Sequence, residues 1–282
     1  MEIKPLAEHT AEELVGLEER LKSYDGPDRV VASDALREEF KNRPKKSYSF
    51  PTGLANLDEA IGSLESGELI AIGGPTKNGK TLLAQTITAN LSAAGTGCLW
   101  FSFEVPERQF LSQMHESVKF YLPRELKQSS LGWLRERILE AKFKNNARVV
   151  FIDNLHHLVD FTTVRNVSLD LGVIIRALKR MAIELNVVIA VLCHSKKPAV
   201  DKSGNVPEVS EWDLRDSSFI PQECDSTIMV QRKLSKETGE VQNTAIVKVC
   251  LHRRTGTMGR VIHVVKVGDR LEEDVRVYEA LR

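Results

Sequence analysis

The sequence predicts an α/β fold: a mostly parallel central sheet covered by helices, antiparallel strands at its C-terminal edge, and a short helical N-terminal extension. Three observations predict it. From about Tyr48 onward, short apolar runs alternate with helical stretches. The first strong apolar run leads directly into a Gly-rich turn. The last quarter of the chain changes to apolar–polar alternation broken by Gly-containing turns. Alternating strands and helices imply parallel pairing with helices on both faces, whereas short alternating strands joined by tight turns pair antiparallel.

Residues 1–48 form the extension. Thr10-Ala11-Glu12-Glu13 is a capping box and predicts a helix to about Lys22, with Leu14, Leu17 and Leu21 on one face. Tyr24-Asp25-Gly26-Pro27 breaks it, and a second helix covers about Ser33 to Asn42. Two short helices cannot enclose a core, so their apolar stripes need a partner surface. Residues 49–282 form the main domain. Leu69 to Ile72 is a strand, Lys80 to about Ala93 a helix, Cys98 to Phe103 a strand and Arg148 to Ile152 a strand. Leu171 to Leu185 is a helix and Val187 to Cys193 a strand. Thr227 to Leu234, Asn243 to Leu251 and Arg260 to Val267 are the edge strands, joined by turns at 236–240 and 255–259.

Composition limits the function classes. With 42% apolar residues among 282, a sizeable core can form. The net charge is zero, so any nucleic-acid contact must come from a local patch rather than a field over the whole surface. Cys98, Cys193, Cys224 and Cys250 form no C-x-x-C pair, which argues against a zinc site or a disulfide framework. No apolar leader or membrane-length run is present, and the expected setting is cytoplasmic.

The Gly-rich turn carries the strongest chemical signal. Gly74-Pro75-Thr76-Lys77-Asn78-Gly79-Lys80-Thr81 lies between a strand and a helix. Its glycines let backbone amides wrap phosphate oxygens, and the helix presents its positive end to the same anion. Lys80 then faces the β- and γ-phosphates, and the Thr81 hydroxyl can ligate Mg2+. This is a P-loop for ATP. A chance Gly-Lys-Thr in a turn is the competing explanation, and the strand–turn–helix context opposes it. Asp153 ends the apolar run Val149-Val150-Phe151-Ile152, at the strand edge where open α/β sheets bind ligands, and can hold Mg2+ with Thr81. Glu104 ends another run and suits a base for an attacking water, although it also precedes a helix start. His194 ends a third run, where a polar side chain can touch a γ-phosphate; a satisfied loop histidine is the plain alternative. Arg253-Arg254, alone, read as solvated arginines at a turn.

These motifs together resemble the RecA-like ATPase domain of DnaB-type replicative helicases, including the phage ring helicases. The likeness runs from about Phe50 to the C-terminus. Thr52-Gly53 through Leu57-Asp58 resembles the family's "TG-x-x-x-LD" lead-in, and Ser102-Phe103-Glu104 its "S-x-E" segment with the catalytic glutamate. Ile152-Asp153-Asn154-Leu155 is similar to its Walker B run. Asp213-Leu214-Arg215-Asp216-Ser217 with Gln222-Glu223-Cys224-Asp225 resembles its "DLR" block, and Arg254 to Gly259 its "R-x-G-x-x-G" arginine-finger turn.

The resemblance implies a ring-forming helicase, hexameric in that family, that couples ATP hydrolysis to movement on single-stranded DNA. It implies Glu104 as the base, His194 as a γ-phosphate sensor and Arg254 as a finger acting on the next subunit. It implies DNA contacts from the loops after Asp153 and His194, which carry Arg165, Lys196, Lys197 and Lys202. Primase or loader proteins are the further partners it implies. Residues 1–48 would then hold a linker helix. One departure stands out: the family's lysine two positions before the finger is His252 here. A RecA/RadA-type recombinase and a KaiC-like regulatory ATPase share the fold and P-loop and are the alternatives.

Overall fold

The computed structural model describes residues 10–42, 48–126, 130–159, 166–196, 207–214, 218–234, 241–274 and 277. Residues 1–46 and 47–282 form separate compact units. In the first, α1 (Ala11–Lys22) and α2 (Ser33–Asn42) match their predicted spans. The capping box is in place: the Glu13 amide donates to Thr10 Oγ1 at 3.3 Å, and the Thr10 amide donates to Glu13 Oε2 at 2.7 Å. Neither helix buries a side chain, as expected of helices too short to enclose a core.

The second unit contains, in chain order, β1 (Ser49–Phe50), α3 (Ala55–Ile61), β2 (Leu64–Glu65), β3 (Leu69–Gly74) and α4 (Lys80–Ala93). Next come β4 (Gly97–Ser102), α5 (Glu107–Ser112), α6 (Leu131–Asn145), β5 (Ala147–Asp153), α7 (Val167–Leu185) and β6 (Val188–His194). The chain continues through α8 (Phe219–Glu223), β7 (Ser226–Leu234), β8 (Val241–His252), β9 (Thr257–Val267) and β10 (Arg270–Glu273). Among the described residues, eight strands form one sheet in the order β10-β9-β8-β7-β3-β6-β5-β4, and β1 pairs β2 in a separate ribbon. Strands β4, β5, β6, β3 and β7 run parallel; β8, β9 and β10 return antiparallel.

The sheet divides the core in two because successive side chains on a strand point to opposite faces. Leu69, Ala71, Val150, Ile152, Ile189 and Val191 face α6 and α7. Ile70, Ile72, Val149, Phe151, Val188 and Leu192 face the α3 and α4 side. Both faces are covered, so these strands read as continuous apolar runs rather than alternating ones. On the α4 side Trp100 is fully buried against Phe110 and Phe151, and its indole N–H donates to Thr88 Oγ1 at 3.0 Å. All four cysteines are buried thiols, Cys224 included.

Two parts of the fold differ from expectation. Thr227 to Leu234 pairs parallel with β3, so the antiparallel edge starts one strand later. Strand β10 has no counterpart in the apolar pattern, because its sequence, Arg270-Leu271-Glu272-Glu273, is mostly charged. Leu271 alone is buried there, and Glu273 accepts the Asn56 amide and side-chain N–H groups at 2.6 Å each.

Asp225 ties together the end of the sheet where β3 begins. Its Oδ2 accepts from the Leu69 amide at 2.7 Å and from Lys179 Nζ at 2.6 Å. Lys179 also donates to Gly67 O at 2.8 Å. One carboxylate thus joins α7, the start of β3 and the start of β7. Removing it leaves the Leu69 amide without its acceptor and the half-buried Lys179 ammonium without its counter-charge. Asp225→Ala is expected to lower stability by about 2–4 kcal/mol, read from urea unfolding midpoints; a loss below about 0.5 kcal/mol contradicts this role.

Candidate functional site

Four parallel strand ends converge on one edge. Gly74 ends β3, His194 ends β6, Asp153 ends β5, and Glu104 lies two residues past β4. The β3–β6 register sets Gly74 beside His194, and the β4–β5 register sets Ser102 beside Asp153. The Asp153 carbonyl accepts from the amides of Phe103 at 2.7 Å and Glu104 at 3.2 Å, which holds Glu104 against the end of β5. The Ser195 amide donates to Gly74 O at 3.0 Å.

The loop from Gly74 to Thr81 needs its glycines. Gly74 has φ +149°, and a Cβ there would lie 2.2 Å from the Val230 carbonyl oxygen. Gly79 has φ +97°, a conformation that side chains disfavour, at the entry to α4. Lys77 also takes positive φ, at +63°. Asn78 is held from β7, its Oδ1 accepting from the Arg232 amide at 2.9 Å, and its Nδ2 donates to Thr76 O at 3.0 Å.

Lys80 and Asp153 are nearly fully buried. Lys80 Nζ donates to Pro75 O at 2.9 Å, inside the loop. Burial lowers its pKa, and the carboxylates of Asp153 and Glu104 oppose that shift. Thr81 Oγ1 donates to Asp153 Oδ2 at 2.9 Å. Burial pushes the Asp153 carboxyl up to about 6; the Thr81 hydrogen bond and Lys80 pull it down, and Glu104 adds to the rise. A hydroxyl and a buried carboxylate make an oxygen-only donor pair, which fits a hard divalent cation. Among the described residues no group of three or more His, Cys, Asp or Glu side chains could hold an ion by itself. Such an ion would therefore depend on phosphate oxygens and water for its remaining ligands.

A cavity of about 310 Å³ opens over this edge. Thr76 to Leu82, Glu104 and His194 line one part, and Arg232, Asn243, Ala245, Lys266 and Leu271 the other. The P-loop end suits a polyphosphate. The β7–β10 end can receive the rest of a nucleotide.

Asn154, to which the sequence motifs give no chemical role, sits at the centre of the polar network. Its Nδ2 lies 2.9 Å from Glu104 Oε2 and 3.0 Å from His194 Nε2. Its Oδ1 accepts from the His156 amide at 3.1 Å, capping the turn Leu155–Leu158. The one signal for it is an Asn at a cap position directly after the candidate carboxylate.

Arg254 lies at the opposite end of the sheet. Ser226 of β7 pairs with Ile70, near the start of β3, and also with His252 at the end of β8. Four strand steps from Ile70 to Gly74 span about 13 Å, and Arg254 is beyond them. Arg254 donates to Glu68 Oε1 at 2.9 Å, Ile61 O at 2.9 Å and Ser63 O at 2.7 Å. Glu65 adds a contact at 3.3 Å. These partners fix its guanidinium far from the phosphate loop of its own chain. His252 is fully buried, and its Nδ1 lies 2.9 Å from Thr255 Oγ1. Burial, aided by Arg254, pushes its pKa down to about 4. The histidine in place of the family's lysine is a neutral packing residue of the turn. Lys196 is exposed just past β6; Arg165, Lys197, Lys202 and the Arg215–Ser217 part of the "DLR" block lie outside the described residues.

The fold and site define the class: a RecA-like α/β domain with a P-loop for nucleotide. A family model for the DnaB-like helicase C terminal domain matches residues 49–133 and 115–267. The chain belongs to that family. It is 26% identical over 225 residues to a probable plasmid replicative DNA helicase of Chlamydia trachomatis serovar L2, covering 68% of this chain and 49% of that protein. It is 23% identical over 285 residues to the replicative DNA helicase DnaB of Buchnera aphidicola, covering 86% of this chain and 61% of that one. Among solved structures, a chain described as an ATPase domain superposes with a TM-score of 0.68 at 18% identity, covering 85% of this chain and 96% of that one. A DnaB-like replicative helicase, studied with its primase interactions, gives 0.69 at 18% identity, covering 92% and 71%. The chain spans about half the length of the chlamydial relatives it matches.

The buried Asp153 makes a stability prediction. Its carboxyl ionises near 3.8 when unexceptional and at about 6 in the fold. An acid with a raised pKa in the fold weakens the fold once ionised, so the penalty is full above pH about 6 and fades as pH falls toward about 4. Asp153→Asn keeps an acceptor for Thr81 and removes the charge. In nucleotide-free protein it is expected to raise stability at pH 7.5 by on the order of 2–3 kcal/mol, with the gain shrinking toward pH 4. Thermal unfolding at several pH values checks this; a variant less stable than wild type at pH 7.5 contradicts it.

Proposed function

We propose that this chain is the ATP-hydrolysing motor of a DnaB-type DNA helicase, working as a ring on single-stranded DNA. The observation that carries the reading is the convergence of Lys80, Thr81, Asp153, Glu104 and His194 on one sheet edge, in a member of the DnaB-like helicase C terminal domain family.

Each residue takes a role. The amides from Gly74 to Thr81 and Lys80 Nζ bind the phosphates; Lys80 is already inside the loop and would exchange Pro75 O for phosphate oxygen. Thr81 and Asp153 would hold Mg2+, which supplies charge neutralisation on the phosphates when bound. Glu104 orients a water and takes its proton as the water oxygen bonds to the γ-phosphorus. The bond from that phosphorus to the bridging oxygen breaks, and ADP leaves with the electron pair. His194 contacts the γ-phosphate. Arg254 completes the site of a neighbouring subunit, since its own P-loop is at the far end of the sheet. To do so it would leave Glu68 and Glu65.

Lys196, with Arg165, Lys197 and Lys202, contacts the DNA backbone. A few cations repeated around a ring can track phosphates even at zero net charge. The ring is a homo-oligomer, hexameric in this reading, and primase or loader proteins are its further partners. Residues 1–48 serve as a linker to the next subunit. No helix among the described residues is long and apolar enough to cross a membrane, and the reading sets the protein in the cytoplasm.

The test is ATP hydrolysis with and without single-stranded DNA, together with strand separation on a forked duplex. Wild type is expected to hydrolyse ATP faster with DNA and to separate strands. Lys80→Ala should lose at least about 100-fold in hydrolysis. Hydrolysis indifferent to DNA, with no strand separation, favours a regulatory ATPase instead.

A further inference from the structure

We propose that Asn154 is a positioning residue that couples the γ-phosphate contact at His194 to the water-activating carboxylate of Glu104. The inference rests on the hydrolytic reading of those two residues. It is carried by one amide that touches both.

The amide's orientation follows from its neighbours. The His156 backbone N–H must meet an acceptor, and it meets Asn154 Oδ1 at 3.1 Å. The NH2 group therefore faces the other way. Its two hydrogens reach Glu104 Oε2 at 2.9 Å and His194 Nε2 at 3.0 Å. Asn154 is 3% exposed, so water does not compete readily for either bond. An amide nitrogen donates and does not accept. His194 Nε2 must then be the lone-pair nitrogen of the ring, and Glu104 accepts through Oε2. Glu104 Oε2 and His194 Nε2 are themselves only 3.5 Å apart, two acceptors held together by the donor between them.

Nucleotide binding would change this arrangement. Phosphate oxygens accept hydrogen bonds and do not donate them. A lone-pair nitrogen cannot donate to one. For His194 to contact a γ-phosphate through Nε2, that nitrogen must carry the proton, and its bond from Asn154 must break. The Asn154 amide then loses its tie to β6 and keeps only Glu104 as its NH2 partner, so the amide and the carboxylate can turn together. Phosphate occupancy and the freedom of the base are thus linked through a single side chain, with no movement of the strands required.

Asn154 also caps the turn after β5, so a purely structural role must be separated from the coupling role. Asn154→Asp does this. The carboxylate still accepts the His156 amide and keeps the cap, but it offers no donor to Glu104 or His194. The readouts are kcat and KM for ATP hydrolysis, ADP affinity, and thermal unfolding, for wild type, Asn154→Asp, Asn154→Ala, His194→Ala and the Asn154→Ala/His194→Ala double variant. Asn154→Asp is expected to unfold within a few degrees of wild type and to bind ADP within about twofold, while kcat drops about 10- to 100-fold. The double variant is expected to be no slower than His194→Ala alone, because the two residues act through one path. Wild-type kcat in Asn154→Asp, or fully multiplicative losses in the double variant, overturns the inference and leaves the hydrolytic reading standing. A wild-type protein that hydrolyses no ATP overturns both.

Discussion

Parallel pairing around β3 is the constraint on which the rest of this molecule depends. The shared direction of strands in a parallel sheet brings every strand's C-terminal end to the same edge. Here that edge collects Gly74, Asp153, His194 and, just beyond β4, Glu104. The antiparallel return of β8 then has an unavoidable effect. Its end, with His252 and Arg254, is carried to the start of β3, away from the phosphate loop. One topology thus puts the P-loop, Asp153, Glu104 and His194 at one end of the sheet and Arg254 at the other. In the proposed reading, Arg254 can therefore serve a P-loop only on another copy.

The polar groups at the loaded edge balance one another only partly. Lys80 and Asp153 are close enough to shift one another, the Glu104 carboxylate acts on both, and burial works against both the ammonium and the Asp153 carboxylate. A buried charge is unfavourable on its own and favourable once a good partner is supplied. Phosphates would give Lys80 its acceptors, and a divalent ion would favour the ionised form of Asp153. The burial penalty at this edge is the cost that such ligands would relieve. The other end of the sheet shows the opposite state. Glu68, Glu65 and two carbonyls satisfy Arg254 within the chain, so any contact with a neighbour must compete with bonds already made.

Much of this was legible in the sequence, for local reasons. The P-loop is contiguous, and its strand–turn–helix context is visible in a single window. Asp153, Glu104 and His194 each end an apolar run, and a run that is buried on both faces has a readable end. The lead-in motif has a local cause too: Asp58 accepts the amides of Thr52 and Gly53 at 2.7 and 3.0 Å. What escaped was non-local or atypical in composition. Asn154 makes its key contacts with residues 50 and 40 positions away, so nothing near it announces them. Strand β10 is charged because only Leu271 turns inward. His252 is buried with its Nε2 3.7 Å from Glu68, a residue distant in sequence, so its own neighbours do not announce the burial. The loop cations Arg165, Lys197 and Lys202 stay an expectation, since they lie outside the described residues.

In the proposed reading, Arg254 of one subunit completes the P-loop of another. Mixing two inactive variants tests it directly. Arg254→Ala retains Lys80 and can bind nucleotide; Lys80→Ala retains Arg254 and cannot support hydrolysis on its own loop. In mixed oligomers some interfaces pair an intact P-loop with an intact arginine. Hydrolysis is expected to rise well above that of either variant alone and to peak at an intermediate ratio. No recovery at any ratio, in oligomers shown to exchange subunits, would contradict it.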